Sequence, residues 1–340
     1  LIIGALSLVL VNVLSVVIPM EVKNIIDDLK DGFTMGFIFN KSILIICLAS
    51  SMAIVRLVSR QLVFGVGRKV EVQLRQKLFD HMLGQDPAWV QELGSGEVIT
   101  RATSDIENIR RLLGFAILSL TNTFLAYSFT LPAMITISPI LTITSISLYP
   151  IMLGTVGLFG GRMVSQRKKQ QEALSKLSEL IQEDLSGISA IKIYGQENSE
   201  ENAFEELNNN YKEAATNLAK TASTLFPLLQ GISSISLLIL IAIGSFQLQS
   251  GLITIGGLVA LILYVERLVF PTALLGFTLN TFQLGQVSLE RIEELINHQP
   301  KIKDNKESIK IDQIKGNLTA KNLTIMYGNS NRKVINNVSF

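Results

Sequence analysis

Four ionisable residues stand where ionisable residues are expensive. Arg56 and Arg60 lie four apart within the apolar stretch 42–64, and the neighbours Glu266 and Arg267 lie inside the stretch 253–282. A charge inside a bilayer persists where it faces a wet cavity or a partner, so these positions point to a polar path through an apolar body. Arg56 and Arg60 share a helix face and are placed to snorkel toward headgroups. Glu266 sits near the middle of its stretch, where a cavity or a basic partner is expected. Arg56, Glu266 and Arg267 are therefore the candidate cavity residues. A second constellation is Glu97, Arg101 and Asp105, whose spacing of four and four puts opposite charges together on one helix face. Other chemistry is thin. Two histidines far apart, His81 and His298, do not make a metal site, and the single Cys47 excludes an internal disulfide.

The elements that position these residues are membrane helices. Hydrophobic residues make up 48% of the 340 and charged residues 17%, against roughly 25% charged in an ordinary soluble domain. The net charge of +2 lends no support to a nucleic-acid partner. Six stretches reach the length of about 20 apolar residues that a bilayer requires: Leu1–Met20, Ser42–Phe64, Leu112–Ile137, Ile140–Gly161, Ala222–Phe246 and Ile253–Phe282. The connections 65–111 and 162–221 are rich in Lys and Arg, while those around Ser138-Pro139 and Gln249–Leu252 carry no charge. Basic connections stay cytoplasmic, which puts both chain ends inside.

The two basic connections read as continuations of the spans. No proline interrupts 20–86 or 151–226, and Leu174, Leu177, Ile181, Leu185 and Ile188 recur at helical spacing. Twenty helical residues beyond the bilayer extend about 30 Å, so rigid rods are expected. Each pair of rods needs a corner. At the first, Pro87 is expected to break the descending helix, Trp89 to sit in a short segment, and Gly94-Ser95-Gly96 to permit a second turn. At the second, Tyr194-Gly195 precedes an acidic helical turn ending at Phe204. From residues alone, both corners read equally as solvated helix–turn–helix bends. Gly157 and Gly161 form a G-x-x-x-G that would allow close helix approach, or simply local flexibility. The tail, LTAKNLTIMYG and then VINNVSF, reads as two short strands about a polar turn, with Tyr327 ending the first. A chain that begins inside an apolar stretch at Leu1 and stops as a β-domain begins reads as a piece cut at both ends.

Taken in order, these segments resemble the half-transporters of the ABC exporter family. The pattern G-E-x-x-x-R-x-x-x-D at Gly96, Glu97, Arg101 and Asp105 is similar to its first intracellular loop, and Glu183–Glu197 (EDLSGISAIKIYGQE) to its second. SGLITIGGLVALILY (250–264) followed by Pro271 resembles the entry into the sixth span, and RIEELI (291–296) the exit toward the linker. One departure is that the family often has an aromatic pair at the first turn, where this chain has Pro87-Ala88-Trp89-Val90. Trp89 is expected to take that contact.

The resemblance implies an all-α membrane fold of six long transmembrane helices extending into the cytoplasm, plus a short C-terminal β-hairpin that starts an α/β ATPase domain. It divides the chain into a six-span domain (1–285) with intracellular loops 65–111 and 162–221, a helical exit and linker (286–316), and the first strands of a nucleotide-binding domain (317–340). Tyr327 would stack on the adenine of ATP, a π-face on a purine. The Mg²⁺-assisted phosphate loop would follow Phe340, so these residues alone would not hydrolyse ATP. The corners near 86–93 and 196–204 would couple to the ATPase domains through Asp86, Pro87, Trp89 and Gln91, and through Gln196, Glu197, Glu200 and Phe204. The implied partners are a second half-transporter, identical or not, the lipid bilayer, and an amphipathic lipid, drug or peptide substrate. The implied location is a bacterial inner membrane. A gradient-driven transporter or channel, or a receptor with an appended cytoplasmic domain, is the alternative. It lacks the internal repeat such transporters often show and leaves the rods without a use.

Overall fold

The computed structural model describes residues 2–29, 34–300, 316–326 and 333–340. Within these, α1 spans Ile2–Asp28, α2 Met35–Leu83, α3 Pro87–Leu93 and α4 Ser95–Ile137. Then come α5 (Pro139–Ile146), α6 (Tyr149–Tyr194), α7 (Glu197–Gln249) and α8 (Ile255–Asn297). Six helical segments are long and apolar enough to cross a membrane, α5 and α6 forming one of them. The fold is the expected one: an all-α body of six membrane-spanning helices with a small C-terminal two-stranded sheet.

The helices overshoot the bilayer. The 53 residues of α7 and 46 of α6 correspond to about 80 and 70 Å at about 1.5 Å per residue, against a hydrocarbon core of about 30 Å. The overshoot lies at one end of the body. At the other end the reversals are tight and joined by hydrogen bonds. Ser138 is the single non-helical residue between α4 and α5; its hydroxyl accepts from Leu141 N (3.3 Å) and donates to Gln247 Oε1 (2.9 Å). Asp27, at the end of α1, accepts from Thr254 Oγ1 (2.8 Å) and Gly256 N (3.1 Å), holding the start of α8. The α1 helix thus continues eight residues past Met20 into the stretch 21–41 expected to be a loop. Lys23 and Asp27, four apart, pair along it at 3.4 Å.

The core gathers on α8. Ala260, Leu261, Tyr264, Val265 and Leu268 are buried against Ala126 and Met134 of α4, Leu141 of α5, Tyr149 of α6 and Leu240 of α7. Buried phenols find backbone partners, as they must in an apolar medium: Tyr264 donates to Val16 O (2.7 Å) and Tyr149 to Val265 O (2.9 Å). Close approach is made by single glycines. A methyl at Gly285 would collide with Leu112, at Gly276 with Val156, and at Gly67 would lie 3.1 Å from Arg110 O. The G-x-x-x-G at Gly157 and Gly161 is not such a place, since a methyl at either meets nothing within 4 Å.

Two local expectations are corrected. Pro87 does not break α2, which ends at Leu83 with Gly84 as its cap; Pro87 opens α3 at its first turn, where a missing N–H costs nothing. The fourth span is also not continuous. It breaks at Ser147-Leu148, just ahead of Pro150 in the first turn of α6, because proline has no N–H to donate back to the turn above.

The chain divides into two compact units, Leu1–His298 and Gln299–Phe340. In the second, β1 (Leu323–Met326) and β2 (Lys333–Val338) pair antiparallel with Leu323 opposite Val338 and Ile325 opposite Ile335. Ala320 and Phe340 extend the ladder with reciprocal backbone bonds of 2.8 and 3.0 Å.

Candidate functional site

A cavity of about 230 Å³ lies between α1, α2, α4 and α8. Arg56 and Arg60 reach it from α2 and Arg267 from α8, so Arg56 and Arg267 of the expected set share one site. Glu266 is exposed and is not among the lining residues: a one-residue step along a helix turns a side chain by about 100°. The pairing expected for Glu266 is replaced by a different partnership. Arg267 Nη2 donates to Asn12 Oδ1 (2.9 Å), and the Asn12 amide donates to Leu8 O (2.9 Å) and Asn122 Oδ1 (3.2 Å). Asn12 is 1% exposed. On the α2 side, Ser59 donates to Gly4 O (3.2 Å), drawing α1 and α2 together beside the arginines. Sequence reasoning missed Asn12 and Asn122. The available signal was the one used for the arginines, an amide inside an apolar span.

The second constellation sits in the polar extension of α4, outside the apolar segment 112–137. Glu97 and Arg101 pair at 2.6 Å and Arg101 and Asp105 at 3.8 Å. A π-helical turn over Arg101–Asp105 adds a residue to the helix here. Asp105, 3% exposed, is bound across to α8, accepting from Ser288 Oγ (2.7 Å) with Arg291 at 3.9 Å. Asn108 donates to the same serine at 3.1 Å. One turn on, Glu107 accepts from Arg110 Nε at 2.7 Å and from Arg111. The Arg110 hydrogen bond is the main reason its carboxyl is pulled down to about 2.

The two corners differ. At the first, Trp89 is half-buried. Its ring stacks on His298 at 4.1 Å and 5°, and it joins Leu93 against Leu78, Ile106, Ile109, Ile292 and Leu295. Gln85 completes the clamp, donating to His298 O at 3.1 Å. A helix of seven residues must bury one side to be stable here, and the bulky apolar side chains take it. Pro87, Ala88, Gln91 and Glu92 are left exposed and Asp86 half-buried. At the second corner, Gly195 takes a left-handed φ of 61° and closes α6. Beyond it, Gln196, Glu197 and Phe204 are exposed and Glu200 half-buried; Glu197 pairs with Lys192 at 3.0 Å. Tyr194 is 76% exposed. Tyr327 and the turn that follows it lie outside the described residues.

Comparison with known proteins places this architecture. The family described as ABC transporter transmembrane region matches residues 1–272. The chain is 27% identical over 341 residues to the probable multidrug resistance ABC transporter ATP-binding/permease protein YheI of Bacillus subtilis (strain 168), covering 99% of this chain and 58% of that protein. It is 28% identical to the multidrug resistance-like ATP-binding protein MdlA of Buchnera aphidicola subsp. Baizongia pistaciae (88% of this chain, 52% of that protein). It is 24% identical to the protein of the same name in Escherichia coli (strain K12), covering 99% and 57%. The chain thus spans about half the length of the curated relatives it matches. Six spans overshooting the bilayer at one end, with the match running from residue 1 into the last of them, leave one assignment: the chain is an integral membrane protein of the ABC transporter transmembrane region family, of the exporter type.

Proposed function

We propose that this chain is the transmembrane half of an ATP-driven exporter that carries an amphipathic substrate across a bacterial inner membrane by alternating access. In this reading a second six-span half, identical or not, completes the pathway. ATP with Mg²⁺ binds the associated ATPase domains, Tyr327 stacks on adenine, and hydrolysis resets the cycle. The overshooting end of the bundle is cytoplasmic, in keeping with its Lys and Arg. Residues 1–285 form the membrane domain, 286–316 the exit and linker, and 317–340 the first strands of the ATPase domain.

The observation that carries the proposal is the clamp at the first corner. The segment Asp86–Leu93 is packed on the last turns of α8 through Trp89 and His298, and α8 itself runs up into the arginine-lined cavity. A push on the exposed Pro87, Ala88 and Gln91 is therefore passed to the helix that carries Arg267. The second corner, Gln196–Phe204, offers the other ATPase domain an accessible surface through Gln196, Glu197, Glu200 and Phe204. Glu97, Arg101 and Asp105 keep the rod beside the first corner in register with α8. ATP drives the change only if it binds the closed arrangement more tightly than the open one.

The test is ATP hydrolysis by the full-length protein in proteoliposomes, with a panel of amphipathic substrates. Stimulated hydrolysis and ATP-dependent accumulation are expected for at least one class. An ion gradient that drives accumulation without ATP would overturn the reading in favour of a secondary transporter.

A further inference from the structure

The arginine-lined cavity has more positive charge than its described lining residues neutralise. Arg56, Arg60 and Arg267 all line it, and no carboxylate is among the described lining residues. Arg267 satisfies one nitrogen on Asn12, but its Nη1 is buried without a hydrogen-bond partner among the described residues. Arg56 reaches a thioether, Met52 Sδ at 3.6 Å, a weak acceptor. Asn12 offers Arg267 only a neutral amide oxygen, which cancels no charge, and its own NH2 is engaged with Leu8 and Asn122.

Water can fill such a cavity, which far exceeds the roughly 10–15 Å³ one water needs. Water screens the guanidinium groups, of which Arg56 and Arg60 are exposed, but it neutralises none of them. An anion does both: it supplies acceptors in the planar, forked geometry that guanidinium groups match, and it cancels charge. The rest of the wall is apolar, with Leu8 and Val11 of α1, Leu118 of α4 and Phe270 of α8. That is a surface for a hydrocarbon tail beside a seat for a headgroup.

We propose that this cavity selects anionic amphiphiles, with a phosphate, sulfate or carboxylate headgroup held by Arg56, Arg60 and Arg267 and its chain lying on the apolar wall. The inference rests on the exporter reading, for which it names the substrate class.

It is tested on the full-length protein in phosphatidylcholine nanodiscs without ATP, using dodecyl phosphate bearing a photoreactive diazirine in its chain and mass spectrometry of the labelled peptides. Labelling is expected on α2 near residues 56–60 and on α8 near 267–271. Unlabelled dodecyl phosphate is expected to compete at least about tenfold better than dodecyltrimethylammonium, the discrimination of charge-assisted hydrogen bonds. Inorganic phosphate, lacking the tail, is expected not to compete at comparable concentration. Arg267→Gln and Arg56→Gln should each weaken labelling severalfold, and Arg56→Lys should restore much of it.

Equal competition by the cationic amphiphile overturns the proposal, and so does labelling indifferent to the arginine variants. Equal competition by inorganic phosphate overturns the amphiphile part. Absence of labelling, with Arg267→Gln dissociating a dimer, would mean that the positive charge is met by a second subunit instead, and this too overturns it. Should the variants misfold, the headgroup comparison on the unaltered protein decides. Because labelling needs no ATP, labelling without ATP-dependent transport would fault the exporter reading alone.

Discussion

Asp105 is the side chain on which the polar part of the body most depends. It is buried beside Arg101 and Arg291 and accepts from Ser288, so Asp105→Ala leaves the buried Ser288 hydroxyl without its acceptor, while Arg101 keeps Glu97 at 2.6 Å. Leaving a buried polar group without its partner costs about 1–3 kcal/mol, and a loss in that range is expected. A fall in Tm of the detergent-solubilised protein reads it out, and an unchanged Tm would show that Ser288 and Asn108 carry the contact unaided. Glu107 gives a pH signature. Its carboxyl lies at about 2 in the fold against an ordinary 4.5, chiefly through Arg110. A depressed carboxylate stabilises above its unfolded value and loses that contribution as pH falls toward its folded one. The Tm gap between the protein and Glu107→Gln should accordingly be present at neutral pH and close between about 4.5 and about 2. Which residues mattered was partly legible from type and position, as with Arg56, Arg267 and the Glu97–Arg101–Asp105 run. Asn12 and Asn122 showed only as amides inside apolar spans; their service to an arginine emerges when a tertiary contact brings them to it.

At the level of helices, the decisive contacts are made where side chains are missing. Gly285 lets α8 close on Leu112, within the π-helical turn Leu112–Ala116 of α4. Gly285→Val puts branched carbons where Leu112 already lies, and overpacking of this kind costs typically about 1–3 kcal/mol. At Gly157, by contrast, an added methyl meets open space, and Gly157→Ala should change stability by no more than about 0.5 kcal/mol, read as a nearly unchanged Tm. The pair separates a packing role from mere helix propensity. The spans themselves were plain in the sequence because bilayer thickness imposes a minimum apolar length. The break at Ser147-Leu148 was hidden because hydropathy continues across it, and only the placement of Pro150 carried a hint. The inward turn of Trp89 was hidden for a related reason. Its ring partner His298 is some 200 residues away in the chain, and no local pattern shows which side of a seven-residue helix will pack.

For the molecule as a whole, the overshoot predicts height. Spin labels on Gln91 and Ser199 of the full-length protein should lie well clear of the headgroups, on the order of 20–30 Å for Gln91, where α2 ends 19 residues past Phe64, and farther for Ser199, where α7 begins 25 residues before Ala222. Labels found at the lipid surface would refute rods of this length. The two far corners are also unequal. One is folded into an apolar cluster and locked by a ring stack; the other hangs on Gly195, with Ile193 and Tyr194 bare. A protease offered the solubilised protein should therefore nick the bond region around 193–198 first and spare Pro87–Leu93. It would split the chain into two pieces that stay associated through the lipid-embedded lengths of α6, α7 and α8.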